Sequence, residues 1–579
     1  MSKTPNYDSK LQPILAALTP GERLCALTGE KWLMTDEEIG WYKKFNVPPS
    51  KYSPLNRMRI MSGYFIMYNI FYNKHADTGR QMMSTIPPAS GFRVLEDKEW
   101  YERDFSEKGI SLDAKKSFFD QLYELSLCVP LPAHDNIVPP ENSLAFLSFG
   151  DIDSYLVMAS RSKRSLVCSN AFDTEDSAEI IMGTNVRESY KTMNSSNLFR
   201  CQFVQDSWDC QNCYFLFDCR NCEHCFGVAN QRHKKYLWFN EQLSKEEYEC
   251  RLAEVDLSSF KVREEYEKRF ADFVQTQAVW PENSNINTQN STGEYLEDTT
   301  NARECYNVRG GSRDIDHVTW CLGTPSENCA YCGGATGSTD CYYSVGVTNC
   351  HRAFFNMNIV TDSRDLEYCT RCFSCENCFG CVGLRHKKFC VLNKQYTEEE
   401  YWKILDDLKC RLLEEGNYGD IPGLCFSTQH WSSLLDLFEI DKATALKLGG
   451  RDFDLVSQGA DGPEVALETI LPLETIPDRL NLDDYENLPG KFYFDLSVGR
   501  RFSYMKPELM MYQKLKVAPP RQHPRARIME TYKRSNKPEF FDTACKGCNK
   551  AIRVAKNPAY PDRKIFCRAC YNTFIEKNN

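Results

Sequence analysis

No stretch of this 579-residue chain stays apolar over the length of a membrane-spanning helix. The opening residues, MSKTPNYDSK, lack the apolar segment of a secretory leader. From these absences we expect an intracellular, reducing, cytoplasmic setting and no membrane partner. Histidine is scarce, at 9 residues. Only His233 and His386 stand in a motif worth testing as catalytic, and no nucleophile can be paired with either, which disfavours a Cys–His enzyme. The densest cysteine run is followed by no Cys-Pro, which a ferredoxin-type cluster requires. Hydrophobic residues (42%) and aromatics (13%) are ample for several packed domains.

Cysteine, in contrast, is abundant, at 28 residues. In a reducing compartment these thiols read as buried side chains or metal ligands rather than as a disulfide framework. The strongest metal signature is CKGCNKAIRVAKNPAYPDRKIFCRACY near the C-terminus. It sets Cys545 and Cys548 opposite Cys567 and Cys570, the spacing of zinc ribbons and treble clefs. One structural Zn2+ is expected there, because four thiolates leave no open position for water.

The middle of the chain is duplicated. CRNCEHCFGVANQRHKKYLWFNEQLSKEEY (Cys219–Tyr248) and CFSCENCFGCVGLRHKKFCVLNKQYTEEEY (Cys372–Tyr401) match at a constant offset of 153. Within each copy the cysteines suggest a shorter beat near twenty: Cys321, Cys341 and Cys381, or Cys329, Cys350, Cys369 and Cys390. Short strands with many Asn, Asp, Ser and Gly residues then suit stacked β-solenoid coils whose narrow interior takes small thiols. The run CTRCFSCENCFGC (Cys369–Cys381) is read as buried structural thiols in preference to a zinc or iron–sulfur site. Ser244 and Thr397, each followed by Glu at the third helical position, predict helices that cover the last coil. The first is expected to run through RLAEVDLSSFKVREEYEKRFADF (Arg251–Phe273) and bridge the two solenoids. The duplicated RHKK is read as a basic turn rather than a phosphate contact.

A second duplication, at offset 470, relates Trp32–Arg59 to Phe502–Met529. It carries Cys545, Cys548, Cys567 and Cys570 to His75, Thr78, Asp97 and Trp100, so the N-terminal copy has lost its thiolates. Cys25 has no cysteine partner at Thr28, which disfavours a zinc knuckle there.

Charge is segregated. From Arg500 onward there are nineteen Lys or Arg against six Asp or Glu, a net +13 that leaves −23 on the first 499 residues. Arg521, Arg525, Arg527, Lys533, Arg534, Lys550 and Arg553, interleaved with aromatics, are candidate contacts to DNA or RNA. The opposing reading is a basic surface that docks on the acidic remainder of the chain.

The expected fold is mixed α+β and multidomain. A degenerate finger-like module (20–110) precedes a first Cys-rich β-solenoid (139–243), a bridging helix (244–280), a second solenoid (281–396), a capping helix (397–415), a connector (416–495) and a basic four-cysteine zinc-finger module (496–579). The segments Cys375–Tyr401, Val517–Arg527 and Cys545–Tyr571 resemble a poorly characterised Cys-rich, zinc-finger-containing protein family of candidate-phylum bacteria. That resemblance implies the architecture and the zinc, but no activity. The expected function is a non-enzymatic zinc scaffold whose finger module binds nucleic acid or a protein. The alternatives are an assembly protein using solenoid faces for protein contacts, and an enzyme with a groove on a solenoid.

Overall fold

A computed structural model describes residues 2–579 apart from 66–67, 137, 322–324, 335–337, 339–340, 343–344, 347–351, 358–359 and 463–464. The fold mixes helices with many short strands, most of them in parallel sheets. No helix among the described residues is long and apolar enough to cross a membrane.

Between residues 170 and 239 the backbone follows a rule of three. Every third residue, from Asn170 to Phe239, has a positive φ. Asn and Asp tolerate that conformation better than other non-glycine residues, which explains why Asn170, Asp173, Asp176, Asn185, Asn194 and Asn197 occupy it. The residue after most of these bends is buried. Leu198, Cys201, Val204, Ser207, Cys210, Cys213, Leu216, Cys219, Cys222, Cys225 and Val228 succeed one another at this interval and are all buried. Four such steps bring the chain back beside itself. Thr184, Ser196 and Trp208 pair in parallel in one sheet. Tyr190, Gln202, Tyr214 and Phe226 pair in another. The register is therefore twelve residues.

This corrects the beat near twenty expected from cysteine spacing. In the second ladder Arg364, Glu376 and Lys388 again pair at twelve. Its earlier strands pair at twelve to fourteen, as in Gly293 with Cys305 and Arg313 with Glu327. Cys350 lies outside the described residues. The interior admits Cys, Ser, Ala, Val and Leu alike, so one residue type samples the true period only sparsely. The narrow space favours side chains that also satisfy backbone groups. Ser189 Oγ donates to Arg187 O (2.7 Å) and accepts from Cys201 N one turn later (3.0 Å). The Cys201 thiol donates to Phe199 O (3.4 Å). Cys369, Cys372, Cys375, Cys378 and Cys381 occupy the same inward positions and are buried. The C-x-x-C spacing of this run is thus the inward register of the backbone.

Each ladder ends in a two-residue antiparallel pairing and a helix. Lys245–Ala253 follows the first, with Ser244 accepting from Glu247 N. Glu398–Glu414 follows the second behind a complete Thr397–Glu400 capping box. The first helix does not run on as expected. It stops at Ala253, and a new one, Phe260–Gln277, starts behind the N-cap Ser259.

The terminal modules pack crosswise. The N-terminal module shares its core with the second ladder, through Tyr42, Phe45, Tyr331, Tyr342 and Phe355. The C-terminal module shares its core with the first ladder, through Tyr190, Phe203, Tyr512 and Ile528. Residues 416–495 contribute Ile421, Leu424, Leu434, Phe438 and Leu448 to the largest core.

A duplicated ion pair sits inside each junction. Tyr42 Oη donates to Glu38 (2.5 Å), and Arg57, fully buried, pairs with Glu38 and lies 3.9 Å over the ring of Tyr331. Tyr512 Oη donates to Glu508 (2.8 Å), and Arg527 pairs with Glu508 (2.9 Å) and with Glu179 of the first ladder (3.2 Å). The offset-470 repeat is therefore a repeat of docking chemistry.

Candidate metal centre

The four thiols stand on one hairpin and one helix. Strands Phe540–Ala544 and Ala551–Ala555 pair antiparallel, and the loop between them begins at Cys545. Cys545 N donates to Lys550 O (2.8 Å) and Asn549 N to Cys545 O (2.9 Å), with Asn549 at φ 63°. This tight loop turns Cys545 and Cys548 to one side. Cys567 is the N-cap of the helix Arg568–Asn578, and Cys570 is its third residue. The four Sγ atoms lie within 4.8 Å of one another, and Cys548 and Cys567 are 3.7 Å apart. Cys545 and Cys567 are buried, Cys570 is half-buried and Cys548 is exposed. Burial works against ionising Cys545, but N–H groups of Cys567, Gly547 and Cys548 overcome it and bring the thiol down to about 6. Cys570 is pushed up to about 12 by its neighbours Cys548 and Cys567. The group could hold a metal ion.

The same hairpin-and-helix unit occurs three more times; the offset of 470 points to the second, at His75 and Thr78, and the first and third are not marked by it. The first unit joins Gly21–Leu24 and Lys31–Met34, with Cys25 N donating to Glu30 O and Gly29 N to Cys25 O (both 2.8 Å). The second joins Phe71–Lys74 and Gln81–Ser84, with His75 N donating to Arg80 O (2.8 Å) and Gly79 N to His75 O (2.9 Å). The third joins Phe492–Asp495 and Arg500–Phe502 around Gly499. Gly29, Gly79 and Gly499 have φ of 74°, 70° and 64°, the conformation that Asn549 supplies in the fourth unit. The helices follow at Pro54–Ser62, Asp97–Glu102 and Pro524–Lys533, behind N-caps Ser53, Glu96 and His523.

Reading the loop start, the fourth loop residue, the N-cap and the third helical residue gives each unit's counterparts of the thiols. In the first they are Cys25, Thr28, Ser53 and Asn56. Asn56 Nδ2 donates to Cys25 Sγ (3.3 Å) and to Thr28 Oγ1 (2.9 Å), so hydrogen bonds fill the place of an ion. In the second they are His75, Thr78, Glu96 and Glu99. His75 Nε2 meets Glu99 Oε2 at 2.7 Å, and its Nδ1 accepts from Asp77 N and Thr78 N (both 3.3 Å). This corrects the constant-offset alignment, which placed Asp97 and Trp100 there. The connection in the second unit is one residue shorter, so the alignment slips by one beyond it. In the third they are Asp495, Val498, His523 and Ala526, and Asp495 accepts from His523 N (2.9 Å). Among the described residues only the fourth unit forms a metal-sized group of ligand atoms. The repeats CALTGE and HADTGR, at Cys25–Glu30 and His75–Arg80, were the legible signal for the first two units.

The other sequence-derived candidates scatter. Arg525 is buried against Asp436, and Arg527 against Glu508 and Glu179. Arg521 donates to Ile476 O (2.8 Å) and stacks on Phe260. Arg534 pairs with Glu530 (2.9 Å), and Arg553 with Glu304 (2.7 Å) and Asp542. Only Lys533 and Lys550 of the seven are both exposed and outside the ion pairs among the described residues. The RHKK arginines bind the terminal modules. Arg232 donates to Tyr571 Oη (2.8 Å), and Arg385 lies 4.7 Å over Trp100. His233 and His386 are exposed.

Asp206 is buried beside the fourth unit, and burial pushes its carboxyl up to about 7. Between the ordinary carboxylate range and pH 7 the folded chain holds a proton that the unfolded chain has lost. Stability therefore falls as pH rises through that window. Asp206→Asn should raise the melting temperature by several degrees at pH 8 and by much less at pH 5, in paired thermal melts.

Compared with known proteins, the chain matches no family model, no curated protein and no solved structure.

Proposed function

We propose that this protein is a non-enzymatic, zinc-stabilised scaffold. In this reading its two parallel ladders are β-solenoids, and its four hairpin-and-helix units are treble clefs of which one keeps its metal. The four-cysteine group supports zinc. A tetrahedral ion with Zn–S bonds of about 2.3 Å sets its sulfurs about 3.8 Å apart, and Cys548 and Cys567 stand 3.7 Å apart. Cys545, Cys548, Cys567 and Cys570 would hold the ion, which supplies cross-linking and no open coordination position for chemistry.

The fate of the basic residues carries the choice of partner. Arg521, Arg525, Arg527, Arg534 and Arg553 bond acidic or carbonyl groups of this same chain. These five arginines reach outside the module, to Ile476, Asp436, Glu179, Glu267 and Glu304, and hold it on the rest of the chain, so protein surfaces are the favoured contacts of the scaffold. Full-length protein should not retain duplex DNA or single-stranded RNA in a filter assay at low salt. Salt-sensitive retention that is lost on changing Lys533 and Lys550 to Glu would restore the nucleic-acid reading.

A further inference from the structure

The crosswise docking builds the same junction twice, so each half of the molecule can be compared with the other. In one half Val94–Leu95 pairs in parallel with Leu131–Pro132, beside the helix Asp97–Glu102. In the other Trp280–Pro281 pairs in parallel with Ile565–Phe566, beside the helix Arg568–Asn578. The counterparts follow: Tyr101 with Asn572, Phe373 with Arg220, Asp135 with Ser284, and Asp97 with Arg568.

The N-terminal junction is filled. The rings of Tyr101 and Phe373 pack at 5.9 Å, and the Arg385 guanidinium lies 5.1 Å and 4.7 Å from them. Asp135 pairs with Arg371 at 2.5 Å, both buried. At the C-terminal junction those two rings and that carboxylate are replaced by Asn572, Arg220 and Ser284. All three replacements line a cavity of about 450 Å³, within the size range of small-ligand sites.

The replacements also change the charge. Asp97 accepts from the backbone N–H groups of His134 (2.9 Å), Asp135 (3.1 Å) and Asn136 (2.8 Å). Arg568 instead donates to Asn283 O, Asn283 Oδ1 and Asn285 O (3.2, 2.7 and 3.2 Å). It has no carboxylate partner for its guanidinium among the described residues, and it lines the cavity. Arg232 keeps Asp218 at 3.1 Å, and Arg220 reaches the same carboxylate at 3.4 Å. One carboxylate thus serves two guanidinium groups, while a third has none. Asp206 and the exposed Glu576 supply acceptors at other points of the wall.

We infer that the cavity between the first ladder and the helix Arg568–Asn578 binds a mononucleotide. A flat ring would enter the space that the Tyr101 and Phe373 rings fill in the other half, with its N–H groups toward the acceptors. Its phosphate would face Arg568 and Arg220, as a bidentate anion suits guanidinium.

The test uses the full-length, metal-loaded protein titrated with AMP and GMP by calorimetry, with inorganic phosphate and a short single-stranded RNA as separate arms. Binding of either mononucleotide below millimolar Kd is expected, with phosphate alone much weaker. Arg220→Phe combined with Asn572→Tyr restores the residues of the filled half and should weaken binding about tenfold or more. Arg568→Gln, which removes the charge together with the guanidinium's bonds to Asn283 and Asn285, should weaken binding too and serves as the second variant if the refilled one fails to fold. Metal content and melting temperature report folding in both variants. The inference is overturned if neither mononucleotide binds, if phosphate alone or RNA alone accounts for binding, or if a folded variant binds as well as the parent.

Discussion

Arg527→Ala is expected to detach the C-terminal module from the first ladder. The substitution leaves Glu508 and Glu179, both buried, without their shared cation. Breaking a buried pair in this way costs about 3–5 kcal/mol, a large share of the stability of an ordinary domain. Glu508 belongs to the module and Glu179 to the ladder, so the cost falls on the junction. A melting temperature lower by ten degrees or more, with new protease cleavage confined to residues 496–579, is the expected result. Arg527→Lys should fail nearly as badly, because one ammonium cannot fork between two carboxylates. Arg527→Met with Glu508→Gln and Glu179→Gln should recover much of the loss, because it leaves no buried charge. An Arg527→Ala protein that melts like the parent would contradict the docking role.

Removing the metal should have an effect of similar size but different reach. Structural zinc contributes about 10–16 kcal/mol to folding in isolated finger peptides. Here part of that role is shared by packing, since Cys545, Ile552 and Cys567 lie in one core with Phe217, Val274 and Trp280. Cys567→Ser, or a strong chelator, is expected to unfold residues 540–579 and expose that face of the ladder. Hydrogen exchange should rise there and stay slow at the inward residues of 184–229. Cys213→Ser, in the ladder interior, should leave the metal content unchanged.

The duplications were legible in the sequence because they are long and carry unusual residues. The thiol quartet was legible for the same reason, since four cysteines at that spacing have few other uses. The backbone period was not. Twelve is written in Cys201, Cys213 and Cys225, yet Val204, Leu216 and Val228 carry it equally well, so a search for cysteine alone finds other intervals. The first and third hairpin units, and the last two ligand counterparts of the second, were hidden for a related reason. Once Asn56 or Glu99 replaces a thiolate, only the loop glycines and the N-caps still mark the site, and those recur in many loops. Docking of the basic residues on the acidic remainder stood as one of two sequence readings, but the partners that decide for it could not be read. Arg525 and Arg527 look like surface charge until the chain brings Asp436, from 89 residues away, and Glu179, from 348 residues away, against them.

Elemental analysis of the purified full-length protein, alongside its Cys567→Ser variant, is the most direct test. The account predicts one zinc ion per parent chain, none in the variant, and no iron in either, because the remaining described cysteines either face the ladder interiors or stand apart from any four-ligand group. Iron with visible absorbance, or a parent chain without zinc, would contradict it.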